Sequence, residues 1–226
     1  MLLRSRATAR TGIAGDALNS PGTGIAGARR AQRQLLRRRR AALPAAERVI
    51  ATRAILRHVA ASRWLAHGRR LGLYLAHGSE LDTGALVALA HRRGCEVYLP
   101  RIVHYRHQQL RFYRDGGRAR RNRYGIPEPT GGIALDVRRL SLLFLPLVGF
   151  DAHGTRLGSG QGYYDRALQF RRHQPRRRPL IIGLGFACQQ LDHIERQPHD
   201  IPLDAVVTEA GIHHFDTPAM NHGDRP

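Results

Sequence analysis

Three glycines at alternate positions, Gly158, Gly160 and Gly162, stand between Arg156 and Asp165, where the apolar run 145–150 gives way to a polar loop. A chain of this kind can turn tightly and bring backbone N–H groups against an anion, where a Cβ would obstruct the approach. Arg156 adds a cation for phosphate and Asp165 a carboxylate for a metal, so the segment reads as a phosphate-handling loop for a nucleotide with Mg²⁺. Glycines at a helix entrance also serve as plain turns, and it is the charged flanks that favour the anion-binding reading. The loop is not G-x-x-x-x-G-K-[ST], because the chain contains no lysine. Nor is it the dinucleotide fingerprint G-x-G-x-x-G, since the third glycine falls one position early and Tyr163 and Tyr164 fill the helix entrance.

Such a loop needs a strand to end before it and a helix to begin after it. Residues 141–148 are nearly all apolar, as expected for a strand buried on both faces. Upstream, Leu71, Leu73 and Leu75 alternate in a strand expected over 69–76, followed by strands over 95–99 and 110–114. Downstream, strands are expected over 180–186 and 205–208. Helices are expected over 29–43, 45–66 and 82–93, the second carrying Val49, Ile50, Ala54, Ile55, Val59 and Leu65 as an apolar stripe. This alternation predicts a single-domain α/β fold, an open, mainly parallel sheet with helices on both faces in three layers. Ligands in such folds bind beyond the carboxyl ends of the strands. Two further polar clusters fall near strand ends, 75–83 and 121–129, and are candidates for one shared cleft with the glycine loop.

The 226 residues suffice for one such domain and fall short of two. A net charge of +20 ordinarily raises nucleic-acid binding. All 37 basic side chains are arginine, however, a pattern of coding bias rather than of charge chosen site by site, so nucleic acid is expected only as a non-specific adhesion partner. Cys95 and Cys188 each sit in apolar runs and read as small core residues in a reducing compartment. No apolar segment approaches the ~20 residues that cross a bilayer, and no signal-peptide core follows Met1. The expectation is a cytoplasmic monomer without a membrane partner. Residues 1–28 superficially resemble a transit peptide but lack an amphipathic period. They are expected to be a disordered extension or the product of a start codon placed too early, with 29–215 as the domain and 216–226 as a flexible tail.

Taken together, five ordered blocks resemble the 5-formyltetrahydrofolate cyclo-ligase family, also called methenyltetrahydrofolate synthetases, over roughly residues 29–215. The most specific is Pro146-Leu-Val-Gly-Phe-Asp151-x-x-Gly154-x-Arg156-Leu-Gly158-x-Gly160-x-Gly162-Tyr-Tyr-Asp165. The others are the basic helix ending in Leu43-Pro-Ala-Ala-Glu-Arg48, Gly78-Ser-Glu80-Leu-Asp-Thr83, Tyr124-Gly-Ile-Pro-Glu128-Pro129, and Asp200-Ile-Pro-Leu-Asp204-Ala-Val-Val-Thr208. The resemblance implies an ATP- and Mg-dependent ligase of one-carbon metabolism that converts 5-formyltetrahydrofolate, polyglutamylated or not, into 5,10-methenyltetrahydrofolate with release of ADP and phosphate. The implied route is a phosphorylated formyl group, an iminium phosphate, attacked by N10 of the same folate.

By position, the resemblance places Arg156, Leu157, Gly158, Ser159, Gly160, Gln161, Gly162, Tyr163 and Tyr164 around the ATP phosphates. Arg156, Tyr164 and Asp165 form the implied catalytic group, with Asp165 ligating Mg²⁺. Asp200 is either a second metal ligand or a helix N-cap. Arg29 and Arg33, four apart, occupy the place of a basic pair that reaches the nucleotide, or else belong to a solvated arginine face. Leu75 and Glu80 match substrate contacts, Glu80 being suited to the N–H-rich pterin edge or, alternatively, to capping the next helix. Tyr163 and Tyr164 either stack on a ring or pack the loop. Gln161 stands where some relatives carry a basic residue, which removes support for its side chain but not its backbone. Asp151 could be only a turn residue. The pairs His104 with His107 and His213 with His214 fit no zinc spacing and read as solvated surface. Two other classes compete: a nucleotide- or RNA-binding protein that kept the fold and lost the chemistry, and a phosphosugar-handling α/β enzyme.

Overall fold

The apolar run before the glycine loop forms a strand whose neighbours on both sides are also strands, so both of its faces must be covered. In the computed structural model, which describes residues 24–174 and 178–215, the chain begins with two helices, α1 (Ile25–Ala42) and α2 (Ala45–Ala61), separated by Pro44. Strand β1 (Arg70–Gly72), helix α3 (Gly84–Arg92) and strand β2 (Glu96–His104) follow. Then come β3 (Gln109–Arg114), β4 (Ala119–Arg121), β5 (Pro127–Pro129), β6 (Ala134–Leu135) and β7 (Leu142–Pro146). The remainder comprises β8 (Gly149–Phe150), β9 (Arg156–Leu157), α4 (Tyr163–Ala167), β10 (Leu180–Leu184), β11 (Ala205–Thr208) and β12 (Gly211–His214).

The main sheet has eight strands in the order β12-β11-β10-β7-β1-β2-β3-β6. Its centre, β11 to β2, is parallel throughout, while β12, β3 and β6 run antiparallel at the edges. The expected mainly parallel α/β fold is therefore the observed one. Side chains sort with a period of two. Leu142 and Phe144 of β7, Ile182 and Leu184 of β10, and Ala205 and Val207 of β11 face α2 and α3, whose Ile55, Val59, Leu86 and Ala90 complete that core. Leu143, Leu145, Ile181 and Val206 face the other way. There the cover is thinner than two long helices would give: short α4, a 3₁₀ turn at Gln169–Arg172, and loop residues such as Leu147, Ile201 and Leu203.

The differences from the sequence reading have local causes. Only 70–72 of the first expected strand pair as a ladder, because the chain leaves the sheet into a turn at 77–80. Strand β2 runs on to His104, past the expected Leu99, because its far half pairs with β3 in a hairpin that projects beyond the parallel centre. Helix α2 stops at Ala61, short of residue 66. The Ser62 hydroxyl donates to Val59 O there, and Trp64 and Leu65 turn into the core. Strands of two to four residues, β4, β5, β6, β8, β9 and β12, are too short to carry a periodic signal. Helix α1 already includes residues 25–28. Residues 1–23 and 216–226, parts of the expected extension and tail, lie outside the described residues. No described helix is long and apolar enough to cross a membrane.

Candidate functional site

Beyond β7 the chain forms the β8–β9 hairpin, whose end is fixed by Asp151. One carboxylate oxygen of this buried residue accepts from the N–H groups of His153 and Thr155, each at 2.9 Å, and the other from Ile194 N at 3.1 Å. The turn role left open for Asp151 is thus the observed one. The hairpin delivers Arg156, almost wholly buried, to Asp165 in the first turn of α4. Arg156 Nη2 donates to both carboxylate oxygens, at 2.8 and 2.9 Å. Burial pushes the Asp165 carboxyl up, but Arg156, with smaller help from Ile201 N and His199, outweighs it and holds the group below its ordinary range. It is therefore an ionised carboxylate at neutral pH.

This pair also explains one glycine. A Cβ at Gly158 would lie 2.8 Å from Arg156 Nη1, so glycine there makes room for the guanidinium. Gly162 has φ of +71°, the left-handed conformation from which α4 starts. The loop also carries polar groups that the protein leaves unsatisfied: Arg156 Nε is buried without a partner, and the Tyr163 hydroxyl lies beside that of Tyr124 without a well-formed hydrogen bond.

Helix α1 lies along the loop. Its arginines at 29, 33, 37 and 40 recur at near-helical spacing along the side that faces the loops: Arg29 and Arg40 are buried, Arg33 half-buried and Arg37 exposed, while Arg30, Arg38 and Arg39 are exposed on other sides. Arg33 Nε donates to Gly158 O at 2.9 Å, and Arg37 Nη2 to Ser159 O at 3.2 Å. Arg29 behaves differently. It is buried and makes a two-pronged pair with Asp200, at 2.8 and 3.2 Å, and also donates to Glu195 O. Asp200 further accepts from Gln197 N at 2.9 Å. No helix follows Asp200, so the N-cap alternative does not apply. The pair pins α1 to the 195–201 turn, and Ile201 N reaches Asp165 at 3.4 Å.

The third segment forms a cleft of about 680 Å³ lined by Arg48, Leu75, Ala76, Gly78, Ser79, Glu80, Asp82, Thr83, Gly84 and Pro127. Glu80 accepts from His77 N at 3.0 Å and caps that turn rather than α3, which starts only at Gly84. Burial pushes its carboxyl above the ordinary carboxylate value, opposed by the His77 N–H and by Arg40. Tyr164 feels the Glu80 charge as well: burial first, then Glu80, raises its hydroxyl well above the usual range. The Glu80 charge thus reaches Tyr164 across the space between the cleft and the glycine loop.

Comparison with known proteins gives the family and the fold. Residues 25–209 match the family described as 5-formyltetrahydrofolate cyclo-ligase. The chain belongs to this family. A relative of that name from Haemophilus influenzae is 31% identical over 172 residues, spanning 74% of this chain and 90% of the relative. One from Escherichia coli K12 is 36% identical over 146 residues, 63% of this chain and 79% of its own. The solved 5,10-methenyltetrahydrofolate synthetase of Aquifex aeolicus superposes with a TM-score of 0.71 at 25% identity, covering 86% of this chain and 97% of that one.

Of the positions that the cyclo-ligase resemblance singles out, 156–165 and Arg33 come together at one end of the parallel strands. Leu75 and Glu80 line the adjoining cleft. Leu157 is wholly buried with Leu36, Val148 and Ile194, so only its backbone is available to a ligand. Tyr164 packs partly on the second core, whereas Tyr163 lies against Tyr124. Arg29 and Asp200 occupy each other. Gln161 is exposed. Among the described residues no three His, Cys, Asp or Glu side chains form a metal cluster, and His104 and His107 merely stack at 4.2 Å. The sequence reading missed Arg37, Arg40, Arg48 and Ser79. The signal for the first two is the stripe 29-33-37-40, which a helical wheel separates from the other arginines of the same run.

Proposed function

We propose that this cyclo-ligase family member converts 5-formyltetrahydrofolate into 5,10-methenyltetrahydrofolate, consuming ATP in the presence of Mg²⁺ and releasing ADP and phosphate. The observation that supports this most directly is that helix α1 holds two sequence-distant segments side by side, hydrogen-bonding the glycine loop through Arg33 and Arg37 and the cleft turn through Arg40. A phosphate-handling surface adjoining a cleft lined by Leu75, Ala76 and the acids Glu80 and Asp82 suits phosphoryl transfer to a bound, N–H-rich ring.

The chemistry asks little covalent work of the protein. A formamide oxygen is a poor leaving group. Transfer of the γ-phosphoryl to that oxygen gives an iminium phosphate, N10 of the same molecule closes the ring, and phosphate departs. Such a step is served by positioning and charge neutralisation. Arg156 and Arg33 supply fixed positive charge on the loop, and Glu80 orients the pterin edge. Leu75 gives the cleft an apolar wall. A bound Mg²⁺ would neutralise phosphate charge during transfer.

The residues fit a metal of this kind. Asp165 is a hard-oxygen donor held ionised beside Arg156, and Mg²⁺ commonly binds through one or two carboxylates together with substrate phosphates rather than in an all-protein cage. Asp200, engaged by Arg29 and Gln197 N much as Asp165 is by Arg156 and Ile201 N but less exposed, is the weaker candidate for a second ligand.

The test is the absorbance of methenyl-folate after mixing protein, 5-formyltetrahydrofolate, Mg²⁺ and ATP, with an ATP-free control. An ATP-dependent rise is expected. Tight Mg-ATP binding without folate turnover would replace this reading with that of another nucleotide enzyme.

A further inference from the structure

Arg40 is a buried arginine that neither packs a core nor forms a salt bridge of the ordinary kind. It comes from the last turn of α1, 8% exposed, and its fork is spent on two separate segments. Nε donates to the Ser79 hydroxyl at 3.0 Å, and Nη1 to Leu147 O, just past β7, at 3.3 Å. Arg48 of α2 holds the same turn from the other side, donating to Ser79 O at 2.9 Å and to Arg40 O at 3.0 Å. Two arginines from two helices therefore clamp the residue next to Glu80 in the cleft wall. Burying a guanidinium is costly unless a nearby negative charge or a function compensates. The acid whose charge favours the Arg40 cation is Glu80.

We propose that Arg40 is a positioning residue for Glu80, fixing the turn that carries the cleft acid against the end of β7 and in register with the glycine-loop side of the site. The inference rests on the reading that Glu80 contacts the folate. The groups around Glu80 make Arg40 the decisive one. From its own turn come the His77 N–H and ring, with Asp82 nearby. Tyr74 lies at the sheet end, Tyr164 on α4, Arg48 on α2 and Arg40 on α1. Burial raises the Glu80 carboxyl, the tyrosines are neutral, and Arg48 is committed to backbone carbonyls. Arg40 is the fixed cation that opposes that rise. An ionised carboxylate accepts charge-assisted hydrogen bonds from ring N–H groups, whereas a protonated one loses half its acceptor capacity.

The experiment compares full-length wild type with Arg40→Met, Arg40→Lys, Ser79→Ala and Glu80→Gln. The readouts are steady-state kinetics against pH and ¹³C NMR of glutamate side-chain carboxyls. In Arg40→Met the Glu80 carboxyl is expected to titrate at higher pH, with the folate KM at pH 7 up about tenfold and the ATP KM within about twofold. Arg40→Lys restores charge without the fork and should return the titration most of the way while recovering the KM only in part. A folded Arg40→Met protein whose Glu80 titration is unmoved would overturn the proposal. Should Arg40→Met fail to fold, Ser79→Ala decides: about a threefold rise in folate KM with unchanged ATP KM supports it, and an unchanged folate KM overturns it. Glu80→Gln separates the two readings. If that variant leaves the folate KM untouched, the substrate role of Glu80 is wrong. If it raises the folate KM and Arg40→Met does not, only the role of Arg40 fails.

Discussion

At the scale of single residues, the two site carboxylates sit in opposite environments. Asp165 is held below its ordinary value of 3.8, so it stabilises the fold at all pH above that value, and this contribution is lost as pH falls through the depressed folded value. Asp165→Asn should abolish turnover. It should also cost about 3 kcal/mol, because it leaves buried Arg156 without its charge partner. Thermal unfolding followed from pH 7 down to about pH 3 checks this, since the variant should lose less stability on acidification than the wild type. Glu80 is the reverse case. Its carboxyl is raised above 4.5, so the fold is favoured at low pH and loses stability as pH rises through the folded value. Glu80→Gln should therefore raise the Tm at pH 7 while raising the folate KM more than the ATP KM. A lowered Tm with unchanged KM would make Glu80 a structural residue. The sequence reading found both carboxylates by type and motif. It could not give their opposite shifts, which depend on Arg156 in one case and on burial in the other.

At the scale of elements, α1 acts as a strap. The arginines along one side of it touch the 195–201 turn through Arg29, the glycine loop through Arg33 and Arg37, and the cleft turn through Arg40. Apart from Leu36, the helix contributes little to any core, so its arginines are available to organise the site. Arg33→Ala should raise the ATP KM about tenfold with little change in folate KM, because it removes the guanidinium charge and its Nε–H hydrogen bond to Gly158 O. Isothermal titration with Mg-ATP checks this, and equal losses for both substrates would mean that α1 merely scaffolds the fold. In the sequence, the helical period groups Arg29, Arg33, Arg37 and Arg40 and sets them apart from Arg38 and Arg39, so this side of α1 is legible there. The partners of these arginines, carbonyls more than a hundred residues away in two of the three loops, are not.

At the scale of the molecule, the charge of +20 is spread over exposed arginines outside the site as well as within it. Weak association with RNA is expected from this charge, and it should fall about a hundredfold between about 50 and 200 mM salt, as measured by fluorescence anisotropy of a labelled oligonucleotide. Retention at the higher salt would point to a built nucleic-acid site instead of diffuse attraction. The thin layer over the Leu143 face, made of α4 and loops, is where the molecule departs most from the three-layer form that alternating strands and helices suggest. Loops can cover this face because the hairpin at Asp151 and the turn at Asp200 are tied internally by their own carboxylates, which satisfies backbone groups without a helix.

The sequence by itself determined the parallel α/β class, the central strands, the glycine loop with its two charged flanks, and the family. Apolar period and glycine spacing are local properties that survive in one dimension. Only the tertiary structure decided that Arg29 and Asp200 hold each other, that glycine at 158 makes room for the Arg156 guanidinium, and that α1 ties the cleft turn at Ser79 to the glycine loop. Ion pairs and burial depend on which side chains the sheet order brings within a few ångströms, and no spacing along the chain encodes that distance.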